Sequence, residues 1–331
     1  LRGVWWSVMA KKEWKKGFLS SGFPLEFETA KVLVKNGFTF EPDYCYERIE
    51  AGQAKDFLVD LSGSLFFPTS NPDKVTADLQ VLIECKYRTP NKTCVFLPDV
   101  NSPELALWYG STIRAFDNFS FCEVSDKPIY AFDSNIPLCY KGTEIDLANG
   151  NAHDSEIRHG INQLQYALPR LITEEILFQV QEDPEEVIPF FVLPILVTTA
   201  KLRVLKKGTT LAKVDQTHIL EAITNEVPYL ILFNSSGPDF VDHATRQFKR
   251  LASIKYYDNV EKIENRLSKS GIEFYKFRLP SFICKELAEG NRYRLNDYCS
   301  QFLICSFDSL PELLSKAKQA IRASLRGKKS F

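Results

Sequence analysis

The sequence predicts an α/β protein, with a mixed central sheet flanked by helices, from three observations. A helical stretch with an inward-facing stripe begins at Pro24. Three strand-like runs separated by turn residues follow it, and further apolar runs at 189–199 and 229–233 are interspersed with helical patterns.

Composition bounds the class. At 331 residues the chain exceeds one typical domain. A hydrophobic fraction of 44% beside 25% charged residues is ordinary for a globular protein, and 25 Phe point to large buried surfaces. The net charge of −1 excludes a uniformly basic surface, so contact with nucleic acid would rest on local basic patches. Eight cysteines contain no C-x-x-C pair and no His at zinc-finger spacing, which reads as reduced thiols of a cytoplasmic protein. The opening Leu1 to Trp6 is too short and too aromatic for a signal-peptide core, and no run reaches the roughly eighteen apolar residues that span a bilayer. The expected location is therefore the cytoplasm, with no membrane partner.

The first element runs from Pro24 to Gly37. Ser20 or Ser21 is placed to cap it, Pro24 suits the first turn, and Gly37 supplies a left-handed stop. Glu26, Ala30, Leu33 and Gly37 share a stripe, so Glu26 faces inward in the first turn, whereas Glu28 points to solvent. A first-turn acid also suits the helix dipole. Tyr44 to Ile49 alternates as a strand, Ala51-Gly52-Gln53 turns the chain, and Phe57 to Leu61 is a second strand with Asp60 embedded in it, closed by Gly63 and the Pro68-to-Pro72 stretch. The third strand, Leu79 to Tyr87, carries Glu84 and Lys86 two residues apart, on one face, opposite Ile83, Cys85 and Tyr87. Burying a carboxylate and an ammonium costs several kcal/mol each unless they are paired or bound to a metal. The bland alternative is an edge strand with a solvated ion pair.

In this order, Glu26 on the first helix, Asp60 in the second strand and Glu84-Cys85-Lys86 in the third resemble the PD-(D/E)XK nuclease superfamily, the restriction-endonuclease-like fold, over roughly residues 18 to 200. No Pro-Asp pair precedes the second strand, where the sequence has Lys55-Asp56 and then Val59-Asp60. Asp60 is preferred as the key acid because Val59 and Leu61 flank it, and Asp56, four residues earlier, is the alternative metal ligand. The resemblance implies a divalent-metal-dependent nuclease that hydrolyses phosphodiester bonds, with DNA the expected substrate. In it Asp60, Glu84 and the Cys85 carbonyl would hold Mg²⁺ or Mn²⁺, and Glu26 would support a metal-bound water. The chemistry agrees, since hard carboxylate oxygens suit such ions and a lysine beside them can orient water and stabilise developing charge. Members often act as dimers or within defence or repair systems.

Further along, Pro103 to Tyr109 is a helix candidate and 116–150 is poorly patterned, either an insertion shaping a cleft or a packed loop region. A long helix opens at Ser155 and runs to about Phe178, with His159, Gln163 and Tyr166 near one stripe. In several nuclease branches a helix at this place brings a Gln and a Tyr to the active site, which makes Gln163 a candidate; a lone His159 is more often a hydrogen-bonding residue than a catalyst. The run 189–199 is the fourth core strand, and Pro194 argues that it is bent or at an edge. Helical stretches are expected near 216–224 and from Leu310 to about Leu325. The domain reading is a nuclease-like core at 1–205 and an α/β extension at 206–331. Basic residues gather at Arg246, Lys249 and Arg250 and again from Lys316 to Lys329, as phosphate contacts or as ordinary solvated faces. Two rivals stand beside the nuclease: a catalytically inactive module of the same fold that binds nucleic acid or a protein partner, and an unrelated α/β protein with an ion pair at Glu84 and Lys86.

Overall fold

A computed structural model of the chain describes residues 13–67, 77–101, 110–116, 122–181, 188–252 and 280–328, with short pieces between 261 and 269. The expected helix at 103–109 lies outside the described residues. In chain order the first elements are α1 (residues 13–20), α2 (Phe23–Lys35), β1 (Thr39–Glu50), β2 (Gln53–Phe66), β3 (Asp78–Lys86) and β4 (Lys92–Pro98). Then come β5 (Arg114–Phe116), β6 (Cys122–Val124), α3 (Lys127–Ser134), β7 (Leu138–Asp146), β8 (Ala152–His153), α4 (Ser155–Gln181), β9 (Phe190–Thr198) and β10 (Lys201–Leu205). The remainder is α5 (Leu211–Gln216), β11 (Thr224–Val227), β12 (Tyr229–Phe233), α6 (Pro238–Phe248), α7 (Pro280–Ala288), α8 (Arg292–Cys299), β13 (Gln301–Ser306), α9 (Leu310–Ser324) and β14 (Leu325–Lys328).

One mixed sheet of twelve strands organises the described residues, in the order β1-β2-β3-β9-β13-β12-β7-β4-β10-β11, with β5 on β9 and β8 on β7. β1, β2 and β3 form an antiparallel meander, whereas β3, β9 and β13 run parallel. Helices cover both faces. One core gathers α4, α6, α7 and α8 around Leu82, Leu164, Leu196 and Phe302. The other gathers α2, α3 and α9 around Leu33, Ile83, Ile195 and Leu314. No helix among the described residues is long and apolar enough to cross a membrane.

The α2 stop follows the sequence. Gly37 has φ +90°, Gly37 N–H donates to the Val34 carbonyl at 3.0 Å, and Phe38 N–H reaches back to Leu33 at 3.1 Å. That is the six-to-one and five-to-two pairing of a left-handed helix end. The start differs from expectation: Gly22, at φ +87°, is the capping residue, no side chain caps the helix, and the Ser20 and Ser21 hydroxyls bond back to Gly17 and Phe18. Ala51 and Gly52, both at positive φ, make the two-residue hairpin joining β1 to β2.

Four further expectations are corrected. Gly63 does not end the second strand but lies inside β2, where a Cβ would come within 3.1 Å of Thr39 O and Val81 Cγ2, so α2 and two strands close over a bare backbone. Pro194 is not at an edge: it is paired with Leu82 in the sheet interior. It falls between Val192, which pairs with β5, and Ile195, the first residue paired with β13, so the missing N–H lies where the ladder changes partner. The poorly patterned 116–150 region supplies a central strand, since β7 joins β4 to β12. Strands from 206–331 lie in the same sheet, β13 between β9 and β12, and the helix expected near 216–224 is instead α5, a short 3-10 turn at Leu220–Ala222 and the start of β11.

Candidate active site

The acidic centre forms where β2 leaves β3. Their ladder runs from Phe66–Asp78 to Leu61–Ile83 and then stops. Val59 and Leu61, two residues apart, belong to different cores, so the strand turns over at Asp60 instead of keeping its regular alternation. In place of the next ladder bond, the Asp60 carboxylate accepts the Cys85 N–H at 2.6 Å. A buried N–H is thereby satisfied, and a carboxylate is fixed beside the end of β3.

β3 presents its charges toward α4, as its alternation predicts. Glu84 is fully buried, and its Oε1 accepts from Lys86 Nζ at 2.6 Å, while its Oε2 is buried with no hydrogen-bond partner. Burial, then the charge of Asp60, push the Glu84 carboxyl up to about 7 against the pull of Lys86. Asp60 is also raised, by burial first, against the Cys85 N–H and the Lys86 charge. Cys85 points to the other face, where its Sγ lies 3.6 Å from Thr29 Oγ1 of α2, and burial holds the thiol well above its usual range. It is a packing residue through its side chain.

Glu26 enters from α2. It is half-buried, and burial followed by the charges of Asp60 and Asp43 raises its carboxyl, while Lys86 lowers it, so it faces the same centre. Gln163 enters from α4: its Nε2 donates to the Leu58 carbonyl at 2.8 Å, and its Oε1 lies 3.4 Å from Lys86 Nζ, at the long end of a hydrogen bond. It ties the lysine to the strand carrying Asp60. Asp56, by contrast, is exposed on the hairpin opposite Glu47. His159 is exposed on α4, and Tyr166 turns away, its hydroxyl donating to Asp239 and its ring lying 4.0 Å beneath the Arg48 guanidinium.

Three residues of this site escaped the sequence reading. Gly160 lies against the centre: a Cβ there would come 2.7 Å from Leu196 Cδ1, 3.1 Å from Lys86 Cε and 3.3 Å from Glu84 Cγ, so α4 crosses the strand end on a bare backbone. Arg88 continues the two-residue spacing of Glu84 and Lys86, a signal the sequence held. It pairs with buried Glu144 of β7 through Nε and with Glu156 at 2.9 Å, while Lys92 Nζ also holds Glu144 at 2.6 Å. This network braces β7 and α4 against the end of β3. Asp43, at φ 57°, is exposed, and its charge is felt by Glu26 and Asp60.

Among the described residues no three His, Cys, Asp or Glu side chains are grouped to hold a metal ion. Asp60 and Glu84 are the acids that meet here, the charge of one raising the other, and Glu84 Oε2 is buried with no hydrogen-bond partner. Two clefts of about 490 and 500 Å³ lie elsewhere, one at Asp99, Asp133 and Lys206, the other at Lys141 and His153. The basic residues of the C-terminal helix are engaged in the fold: Lys316 with Glu312 and Tyr229, Lys318 with the α2 end at Asn36, and Arg322 over Phe67. Comparison with known proteins finds no matching family model, no matching curated protein and no matching solved structure.

Proposed function

We propose that the chain has a restriction-endonuclease-like core and acts as a divalent-metal-dependent nuclease on DNA. The observation that carries this reading is the Asp60 carboxylate fixed on the Cys85 N–H beside the Glu84–Lys86 pair, with Glu84 Oε2 buried and unpartnered. A buried carboxylate oxygen without a donor costs free energy that a cation would recover. Mg²⁺ or Mn²⁺ suits the donor set, because such ions take one or two carboxylates and keep several waters, so three clustered acids are not required. Asp60, Glu84 and the Cys85 carbonyl would hold it, with Glu26 behind. When bound, the ion supplies charge neutralisation at the phosphate and a more acidic water.

The chain's own residues do the rest. Phosphodiester hydrolysis adds a water oxygen to phosphorus, breaks the bond to the leaving oxygen and moves one proton from the water and one to the leaving group. Lys86 donates a charged hydrogen bond to the phosphate or attacking water as negative charge develops. Its ammonium is held now by Glu84 and Gln163, and cation binding at Glu84 would release it toward substrate. Glu26 and Asp43, partly open to solvent, are placed to receive the proton from water.

The test is cleavage of linear, circular and single-stranded DNA and of RNA with Mg²⁺ or Mn²⁺, for the wild type, Lys86→Ala and Asp60→Ala, with folding checked by circular dichroism. Metal-dependent DNA cutting that both substitutions abolish is the expected result. Cutting that survives both would overturn the assignment of the site. One observation favours the second reading, a non-catalytic binding module: Lys86 is consumed by Glu84 at 2.6 Å. DNA binding without cleavage under any metal would select it.

A further inference from the structure

The α1–α2 segment exposes four large aromatic side chains in two pairs at helical i, i+4 spacing. Trp14 is 62% and Phe18 51% exposed on α1, with ring centroids 6.5 Å apart; Phe23 is 64% and Phe27 66% exposed on α2. These two helices spend aromatics where a solvated helix carries polar residues. Phe23 lies three residues before Glu26 and four before Phe27, so the three side chains are neighbours on the surface of one helix. The aromatic shelf therefore abuts the acid that faces Asp60. Lys31 Nζ lies 5.1 Å from the Phe27 ring centroid, and Lys15, Lys16 and Lys35 are exposed on the same two helices.

Resting on the nuclease reading for where the phosphate sits, we propose that Phe23 and Phe27, extended by Trp14 and Phe18, form a stacking shelf for the unpaired bases of single-stranded DNA entering the Asp60–Glu84–Lys86 site. Two features select this occupant. Every base offers a flat face to an aromatic ring, whereas duplex DNA keeps its base faces hidden in the stack. Lys15, Lys16 and Lys35 on these helices would meet phosphates on a nucleic acid strand, whereas Lys31 is held by Glu28 at 2.6 Å. The substrate class is then DNA with a single-stranded segment: an overhang, a flap or a free strand.

The experiment is fluorescence anisotropy of a labelled oligothymidylate and of a blunt duplex of equal length, with the full chain in chelator so that nothing is cut. Wild type, Phe23→Ala/Phe27→Ala, Phe23→Leu/Phe27→Leu and Phe23→Trp/Phe27→Trp are compared, with light scattering on each. The expected result is tighter binding of the single strand, weakened about tenfold or more in the Ala and Leu pairs and kept in the Trp pair. Equal binding by the Leu pair, a preference for the blunt duplex, or a wild-type dimer that the Ala pair dissolves would each overturn the shelf. Cleavage assays in Mg²⁺ run alongside separate the two readings. Metal-dependent cutting by the wild type with single-strand binding that the Ala pair leaves unchanged retires the shelf alone, and the expected binding pattern without any cutting retires the nuclease and keeps the shelf.

Discussion

The Cys85 amide donates to the Asp60 carboxylate across 2.6 Å, one step beyond the last paired residues of β2 and β3. The bond serves fold and site together, because it ends a ladder and orients an acid. Asp60→Asn keeps an acceptor for that amide and is expected to change stability by less than about 1 kcal/mol, while Asp60→Ala leaves a buried N–H unpaired and costs about 1–2 kcal/mol. Urea denaturation reads the difference, and both variants should lose metal-dependent cleavage; an Ala variant as stable as wild type would mean that the bond holds nothing.

Cation binding should depend on pH in a definite direction. Glu84, raised to about 7, holds a proton below that pH and must release it to serve a cation. Mn²⁺ affinity measured calorimetrically should rise between about pH 6 and pH 8 and then level off. Glu84→Gln should abolish both the binding and its pH dependence. Affinity that is flat across this range would remove Glu84 from the ligand set.

Gly160 has no left-handed backbone to defend, so its requirement is one of space. Gly160→Ala gains about 1 kcal/mol of helix propensity and loses a similar amount against Leu196, and should be near neutral in stability. Gly160→Val drives two methyls toward Lys86 and Glu84 and is expected to cost about 1–3 kcal/mol and to lower cleavage more than tenfold. Thermal melting with parallel activity measurements separates these; a fully active Val variant would show that α4 does not bear on the lysine.

A second acidic pair gives the fold a pH response away from the site. Glu175 on α4 is raised from 4.5 to about 7 by burial, then by the charges of Asp78 and Glu174. Asp78 at the start of β3 is raised to about 6 by burial, and its Oδ1 is buried without a partner. A raised acid binds its proton more tightly folded than unfolded, so its contribution to stability is complete below pH 4.5 and is lost as the pH rises through 7. Glu175→Gln should recover stability on the order of 2 kcal/mol at pH 8 and have no such effect at pH 4. Chemical denaturation at the two pH values measures this, and an equal effect at both would exclude the pair as its source.

What was legible in the sequence was local. The α2 stop at Gly37, the hairpin at Ala51-Gly52 and the facing of Glu84 and Lys86 each follow from a few neighbouring residues. The break at Asp60 was not legible, because it depends on where β2 parts from β3, and no spacing along one strand records that. β7 was missed for a related reason: only Cys139 and Glu144 of its nine residues are buried, and its partners β4 and β12 lie about 45 residues before and 90 after it. Pro194 misled because a rule about lost donors could not know that its place is a seam between two neighbours.

The position of β13 bears on how the protein is made. β9 and β12 have no ladder between them, and the strand that joins them follows β9 by about 100 residues of chain. Until residue 306 emerges from the ribosome, β9 presents Ile195 to Thr198 as an open apolar edge, the kind of surface on which nascent chains aggregate. A fragment ending at 205 would keep every residue of the acidic centre and still carry that edge permanently, so a stop anywhere before β13 is expected to cost the whole fold and not only the residues it removes.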